Sequence, residues 1–183
     1  MAVGKDPNTV SVGAGTLYVA PLGTAEPVSL TGAWDPAFIA LGYTEKGTTF
    51  TNGLTAADVD VAEEYYPIST VVTAKTGKVD FALSQITAAA LQIAYAGGTT
   101  TVLGTYVTFE PPLAGTETRI MIGWQSVSGD ERYLWRRCFQ SGATATARQK
   151  ILPQALLPVS FNLEKPAGKL PWIWFGSLAR TGA

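Results

Sequence analysis

The stretch VVTAKTGKVDFALS, Val71 to Ser84, decides the fold. Val79, Phe81 and Leu83 alternate with Lys78, Asp80 and Ala82, the two-residue period of a β-strand with one buried face and one wet or interface face. Gly77 is the expected site of a bulge or bend. On the C-terminal side the period changes. Ser84 is placed to cap a helix over Gln85–Ala96 (QITAAALQIAYA), with Ile86, Ala90 and Ile93 on one face and Gly97-Gly98 as its stop. On the N-terminal side, Thr55 to Tyr66 has no clean period. It carries Asp58, Asp60, Glu63 and Glu64 and is closed by Pro67.

Further out, β signals dominate. TLYVA (Thr16–Ala20) ends at Pro21. FIALGYT (Phe38–Thr44) is a second strand candidate, followed by a turn at Lys46-Gly47 and a short run over Thr48–Thr51. Thr100–Phe109 is β-like and stops at Pro111-Pro112. Arg119–Val127 and Glu131–Gln140 flank Ser128-Gly129-Asp130 as a hairpin. Strict alternation puts Tyr133, Trp135, Arg137 and Phe139 on one face of the second strand, with Arg132, Leu134, Arg136 and Cys138 on the other. Ala143–Ile151 and Leu157–Leu163 are further strand candidates, Pro166–Leu170 a turn, and PWIWF (Pro171–Phe175) a short aromatic strand or tail. Met1–Gly15 is a Gly/Asn/Ser/Thr-rich leader. The outline is all-β with one helix set midway, in a length that suits one domain.

Composition narrows the function. The chain has 183 residues, 46% hydrophobic and 15% charged, with net charge -1, no His and one Cys. The commonest general base and metal ligand is missing, and neither an intrachain disulfide nor a thiolate zinc cage is possible. Near-neutral charge argues against a general nucleic-acid binder. No stretch is long enough to span a bilayer and no signal peptide is legible, so the expected site of synthesis and folding is a cytoplasm. So few charges suit a surface that becomes interface. They are also unevenly spread: four bases face eleven acids from Met1 to Glu117, and nine face three from Thr118 to Ala183. Either the two halves interleave and pair internally, or an acidic face meets a basic one in head-to-tail association.

Candidate chemistry is thin. Asp58, Asp60, Glu63 and Glu64 lack the spacing and glycine of an EF-hand, and read as a solvated loop or a wall that repels a polyanion; nothing marks one acid of a glycosidase pair. There is no G-x-S-x-G elbow, no P-loop and no dinucleotide fingerprint. Cys138 beside Arg137 reads as a buried structural thiol. Arg132, Arg136 and Arg137 form either a phosphate grip or, the preferred reading, partners for acids on a neighbouring strand or protomer. Trp172 and Trp174, alternating with Ile173, form either a sugar-stacking platform or a docking strip for a core or a partner subunit.

The order of segments goes further. GTLYVAPLGTAEP (Gly15–Pro27), FIALGYTEKGTTFT (Phe38–Thr51), EEYYPISTVVTAKTGKVDFALSQ (Glu63–Gln85), the Ala-rich helix and ALLPVSFNLEKPAGKLPWIW (Ala155–Trp174) succeed one another over most of the chain. This succession resembles the major tail tube proteins of long-tailed, siphovirus-type bacteriophages, particularly those infecting actinobacteria. The resemblance implies a mainly β fold, a small β-sandwich or partial barrel with one flanking helix, whose copies form hexameric rings stacked into a hollow tube with a shared inner β-barrel. It implies an arm over residues 1–15, a domain over 16–170 with an inter-ring loop at Thr48–Pro67, an inner-barrel strand at Val71–Leu83, an outer helix at Gln85–Ala96, and a C-terminal arm over 171–183 anchored by Trp172 and Trp174. Asp58, Asp60, Glu63, Glu64 and Asp80 become inter-ring or lumen acids, and Arg132, Arg136 and Arg137 inter-subunit bases. Lys75 and Lys78 on the inner strand fit a DNA-passing lumen only if acids neutralise them. The implied partners are further copies of the chain, a tape measure protein and a tail terminator. Viral DNA passes without specific binding, no membrane is involved, and the location is the virion tail after synthesis in the host cytoplasm. No catalytic residue, metal or cofactor is implied. The alternatives are another virion part (a terminator or capsid decoration protein) and a carbohydrate-binding β-sandwich using Trp135, Trp172 and Trp174. An enzyme ranks last.

Overall fold

A computed structural model describes residues 13–145 and 156–177. The leader up to residue 12, most of the strand expected at Ala143–Ile151 and the chain beyond residue 177 lie outside the described residues. In chain order the elements are β1 (Gly15–Pro21), β2 (Ile39–Ala40), β3 (Thr44–Val59), β4 (Ser69–Leu83), α1 (Ala88–Ala94), β5 (Thr99–Leu103), β6 (Tyr106–Glu110), β7 (Ile120–Ser126), β8 (Glu131–Gln140), β9 (Leu157–Leu163) and β10 (Trp172–Gly176).

All strands but β5 and β6 join one antiparallel sheet in the order β2-β1-β7-β8-β9-β4-β3, with β10 also on β8. β8 is where the sheet folds over. One of its edges follows β7; its other edge pairs Cys138–Gln140 with β9 and Glu131–Trp135 with β10. Two wings result, β2-β1-β7-β8-β10 and β9-β4-β3, and they pack face to face as a small β-sandwich. The core between them holds Leu17, Val79, Phe81, Leu83, Ile122, Trp135, Cys138, Leu157, Val159 and Phe161, with Ala90 and Ala94 of α1 against it. The alternation at Val79, Phe81 and Leu83 is therefore the alternation of this core, all three being buried. A smaller cluster of Ala20, Phe38, Met121 and Leu134 lies on the outer face of the first wing. Trp34 covers it, stacked on Tyr18 at 4.9 Å and 4.8 Å from Phe38.

Several local expectations are corrected. α1 spans seven residues, Ala88–Ala94, not Gln85–Ala96. Ser84 is not its cap: the Ser84 amide still donates to Tyr43 O, extending the β3–β4 ladder, while Thr87 Oγ1 accepts from Ala90 N at 3.1 Å and caps the helix. Phe38–Thr44 contributes only the two-residue β2 before β3 begins. Thr100–Phe109 is a two-stranded hairpin, β5–β6, turned at Gly104. Gly77 pairs regularly with Asn52. The irregularity of β4 is at Thr73, which is left over between the pairs Thr55–Ala74 and Ala56–Val72.

β8 departs from strict alternation. Cys138 pairs with Ile120 and Trp135 with Ile122, so Arg136 and Arg137 together oppose Met121. This bulge moves Cys138 onto the core face with Trp135, where alternation had put it on the opposite face. Burial pushes the Cys138 thiol well above its ordinary pKa, so it is an inert packing group.

Candidate functional site

The most distinctive surface is the outer part of the β3–β4 hairpin. Thr48–Pro67, expected as a loop, is strand as far as Val59, and β3 pairs with β4 from Thr44–Leu83 out to Val59–Ser69. Its sequence shows no apolar period because neither face is buried there: the first eight residues of β4 are all exposed. The hairpin thus leaves the sandwich beyond Gly77 as a two-stranded arm. Isolated two-stranded ribbons are at best marginal in water. This one nevertheless exposes Leu54, Val59, Ile68, Val71 and Val72, and at its tip Tyr65 and Tyr66 are almost entirely solvent-exposed.

The tip gathers Asp58, Asp60, Glu63 and Glu64. Ile68 N donates to Val59 O to close it, and Thr70 Oγ1 donates to Asp58 Oδ1 at 2.7 Å across the strands. Asp80 is not part of this group. It lies eleven residues along β4 from Ser69, about 36 Å at ~3.3 Å per residue, paired with Thr49 and Ser160.

Registry separates the arm's two faces. Phe50, Asn52 and Leu54, opposite Val79, Gly77 and Lys75, continue the core face. Thr49, Thr51 and Gly53, opposite Asp80, Lys78 and Thr76, continue the outer face of the second wing, which β9 extends with Ser160 and Asn162. That outer face is built of small, uncharged groups around one ion pair, Lys78 to Asp80 at 3.0 Å. Lys75 is on the other face.

The three arginines are held within the chain. Arg132 is buried: it donates to Ser29 O and Gln125 Oε1, both at 2.9 Å, and stacks 4.5 Å over Trp34. Burial lowers its pKa from the usual arginine value. Arg136 pairs with Glu26 at 2.9 Å and donates to Leu170 O; Lys169 holds the same carboxylate at 2.7 Å. Burial opposes the ionisation of Glu26, and the bonds from Lys169 and Arg136 together outweigh it, so its carboxyl sits below the ordinary value. Arg137 pairs with Glu164 at 2.6 Å and Arg119 reaches the same oxygen at 3.4 Å. The bond from Arg137 is the main cause of the lowered Glu164 pKa. Glu26, Glu164, Arg119 and Lys169 had no sequence signal, because their partners lie far along the chain.

The aromatic residues do not form one exposed platform. Trp135 is 2% exposed. Trp172 packs edge-on against Phe50 at 5.3 Å. Trp174 is partly exposed, with Nε1 donating to Glu131 Oε1 at 3.1 Å. Trp172 and Trp174 therefore sit in a strand paired to β8. Among the described residues no three His, Cys, Asp or Glu side chains gather as a metal site, and no helix is long and apolar enough to cross a membrane.

The site is thus a projecting hairpin beside a charge-balanced strand face on a small β-sandwich. The family model described as phage tail tube protein matches residues 2–176, and the chain belongs to that family, a structural component of the virion tail. No curated protein matches it.

Proposed function

We propose that the chain is the repeating subunit of the tail tube of a long-tailed phage. Copies join side by side into rings of six, and the rings stack head to tail into the conduit through which DNA reaches the host. The arm carries this reading: sixteen residues of β3 and fifteen of β4 form a ribbon whose outer half has no packing partner among the described residues of the subunit. The tube supplies the partner. Among the described residues β3 is also an edge strand, paired only to β4. Pairing that edge with the next copy in the ring continues the sheet into an inner barrel and removes a long open edge that invites aggregation.

The outer face of β9-β4-β3 is the lumen wall in this reading. Cations that grip phosphate add affinity and impede sliding. The Lys78–Asp80 pair leaves that face without net charge. Asp58, Asp60, Glu63 and Glu64 are assigned to contacts between rings and Asp80 to the lumen. Arg132, Arg136 and Arg137 act on assembly indirectly, through the loops they hold at Ser29, Glu26 and Leu170. The domain expected to end at residue 170 takes in β10 as well: Trp172 and Trp174 belong to its sheet, paired to β8, and Trp172 packs against its core. The tape measure protein fills the growing tube and a terminator ends it, all assembled in the host cytoplasm.

Negative-stain electron microscopy of the concentrated full chain tests the proposal. Stacked hollow rings are expected. A strictly monomeric particle under all conditions overturns it, and growth that always stops at one ring assigns the chain to the terminator role instead.

A further inference from the structure

The body of the domain holds two depressions that share Leu22, the first of them at the end of β4 away from the arm tip. The first is an apolar groove of about 620 Å³ between β1, the β2 segment and α1, floored by Ala90, Ile93 and Phe161 and bordered by Gln85, Thr87 and Arg119. Gln85 and Thr87 directly follow the end of β4 farthest from the tip. The second, about 450 Å³, is lined by Glu26, Arg136, Arg137 and Lys169, and Leu22 borders both. In and beside these depressions four cations, Arg119, Arg136, Arg137 and Lys169, face three carboxylates: Glu26 and Glu164, which are ion-paired to them, and Glu117 next to Arg119.

The arm tip has the complementary make-up. Tyr65 and Tyr66 are exposed aromatic groups within a cluster of four acids, Asp58, Asp60, Glu63 and Glu64. We infer that this pair of depressions is the socket for the arm tip of a second copy in the neighbouring ring: the tyrosine rings enter the apolar groove and the carboxylates lie toward the surplus cations. Tyrosine suits such an anchor, giving a large apolar body with a hydroxyl for the groove's polar rim. The tip and the apolar groove lie toward opposite ends of β4, so the contact is heterologous and repeats without closing, as a stack requires. The inference rests on the tube reading and adds to it the receiving surface and the anchoring side chains.

The test uses the full chain with a photo-activated benzoylphenylalanine at position 65, polymerised from a mixture of isotopically light and heavy copies. Cross-links between a light and a heavy copy are expected in peptides covering residues 19–24, 37–42 or 85–97. In parallel, Tyr65→Ser/Tyr66→Ser, altered only at exposed tip positions, and Ala89→Trp, which fills the groove from an exposed helix position, are each expected to raise the concentration needed for polymerisation at least about tenfold. Both are expected to keep the monomer's melting temperature, which excludes misfolding as the cause. Stacked rings with the cross-link elsewhere, with none, or with the tyrosine variant polymerising at the unaltered concentration overturn the socket and leave the tube reading standing. Failure of the unaltered chain to form rings overturns both.

Discussion

Lys78 Nζ lies 3.0 Å from an Asp80 carboxylate oxygen, two positions along the same face of one strand. The pair cancels the only charges between Gly77 and Leu83, on the strand face assigned to the lumen. Asp80→Asn leaves Lys78 unopposed in every copy. Slower DNA ejection and salt-dependent retention of DNA in assembled tubes are expected, with Lys78→Ala/Asp80→Ala restoring normal passage. Ejection at the normal rate in the single variant, with no retention at low salt, removes this face from the DNA path.

Hydrogen exchange on the free subunit distinguishes the arm from the body. Amides of residues 52–76 are expected to exchange fast, because the ribbon there has no buried face, while those of residues 77–83 are protected by the core. In the proposed assembled tube the arm amides are expected to become protected. Equal protection of both segments in the monomer contradicts the picture of an arm that lacks a partner.

Gly98 has φ +110°, and a Cβ built there would lie 2.5 Å from Glu110 O and 2.7 Å from the Phe109 ring. Gly104 has φ +61° and open space around it. Gly98→Ala combines backbone strain with collision and is expected to cost about 2–3 kcal/mol, against about 1 kcal/mol for Gly104→Ala. Thermal melts separate these, at roughly 2–4 °C per kcal/mol for a domain of this size. Equal shifts contradict the packing of β6 against the Gly97-Gly98 turn.

Glu26 titrates below its ordinary value of 4.5 in the folded chain. The ion pairs with Arg136 and Lys169 therefore stabilise fully above that ordinary value, and their contribution fades as pH falls through the lower folded value. Glu26→Gln is expected to cost about 1–2 kcal/mol at pH 7 and nothing once the acid is protonated in both states. Denaturant melts of the two proteins across pH 2–7 check this; a constant difference at all pH values shows that the carboxylate's charge is not what matters.

The segments that bury a face were legible. Val79, Phe81 and Leu83 announce the core, and the β7–β8 hairpin reads directly from two apolar runs around Ser128-Gly129-Asp130. β3 was not legible as one strand, since beyond Gly53 it meets solvent on both sides and leaves no hydrophobic period to detect. The bulge at Arg136-Arg137 was hidden because a single extra residue changes facing without changing composition. The helix start shifted from Ser84 to Thr87 because a ladder bond to Tyr43 competes for the Ser84 backbone. The ion pairs around Glu26 and Glu164 join residues up to 143 positions apart, which no local pattern encodes.

More than half of β4 lies outside the sandwich that folds around its other end. In the proposed tube, a shaft made from such parts would be laced together, not piled like coins. Bending it would slide ribbons along their neighbours instead of opening a seam, and extracting one subunit would mean unthreading it from above and below. Flexibility and leak-tightness, usually opposed in a pipe, then come from the same strand.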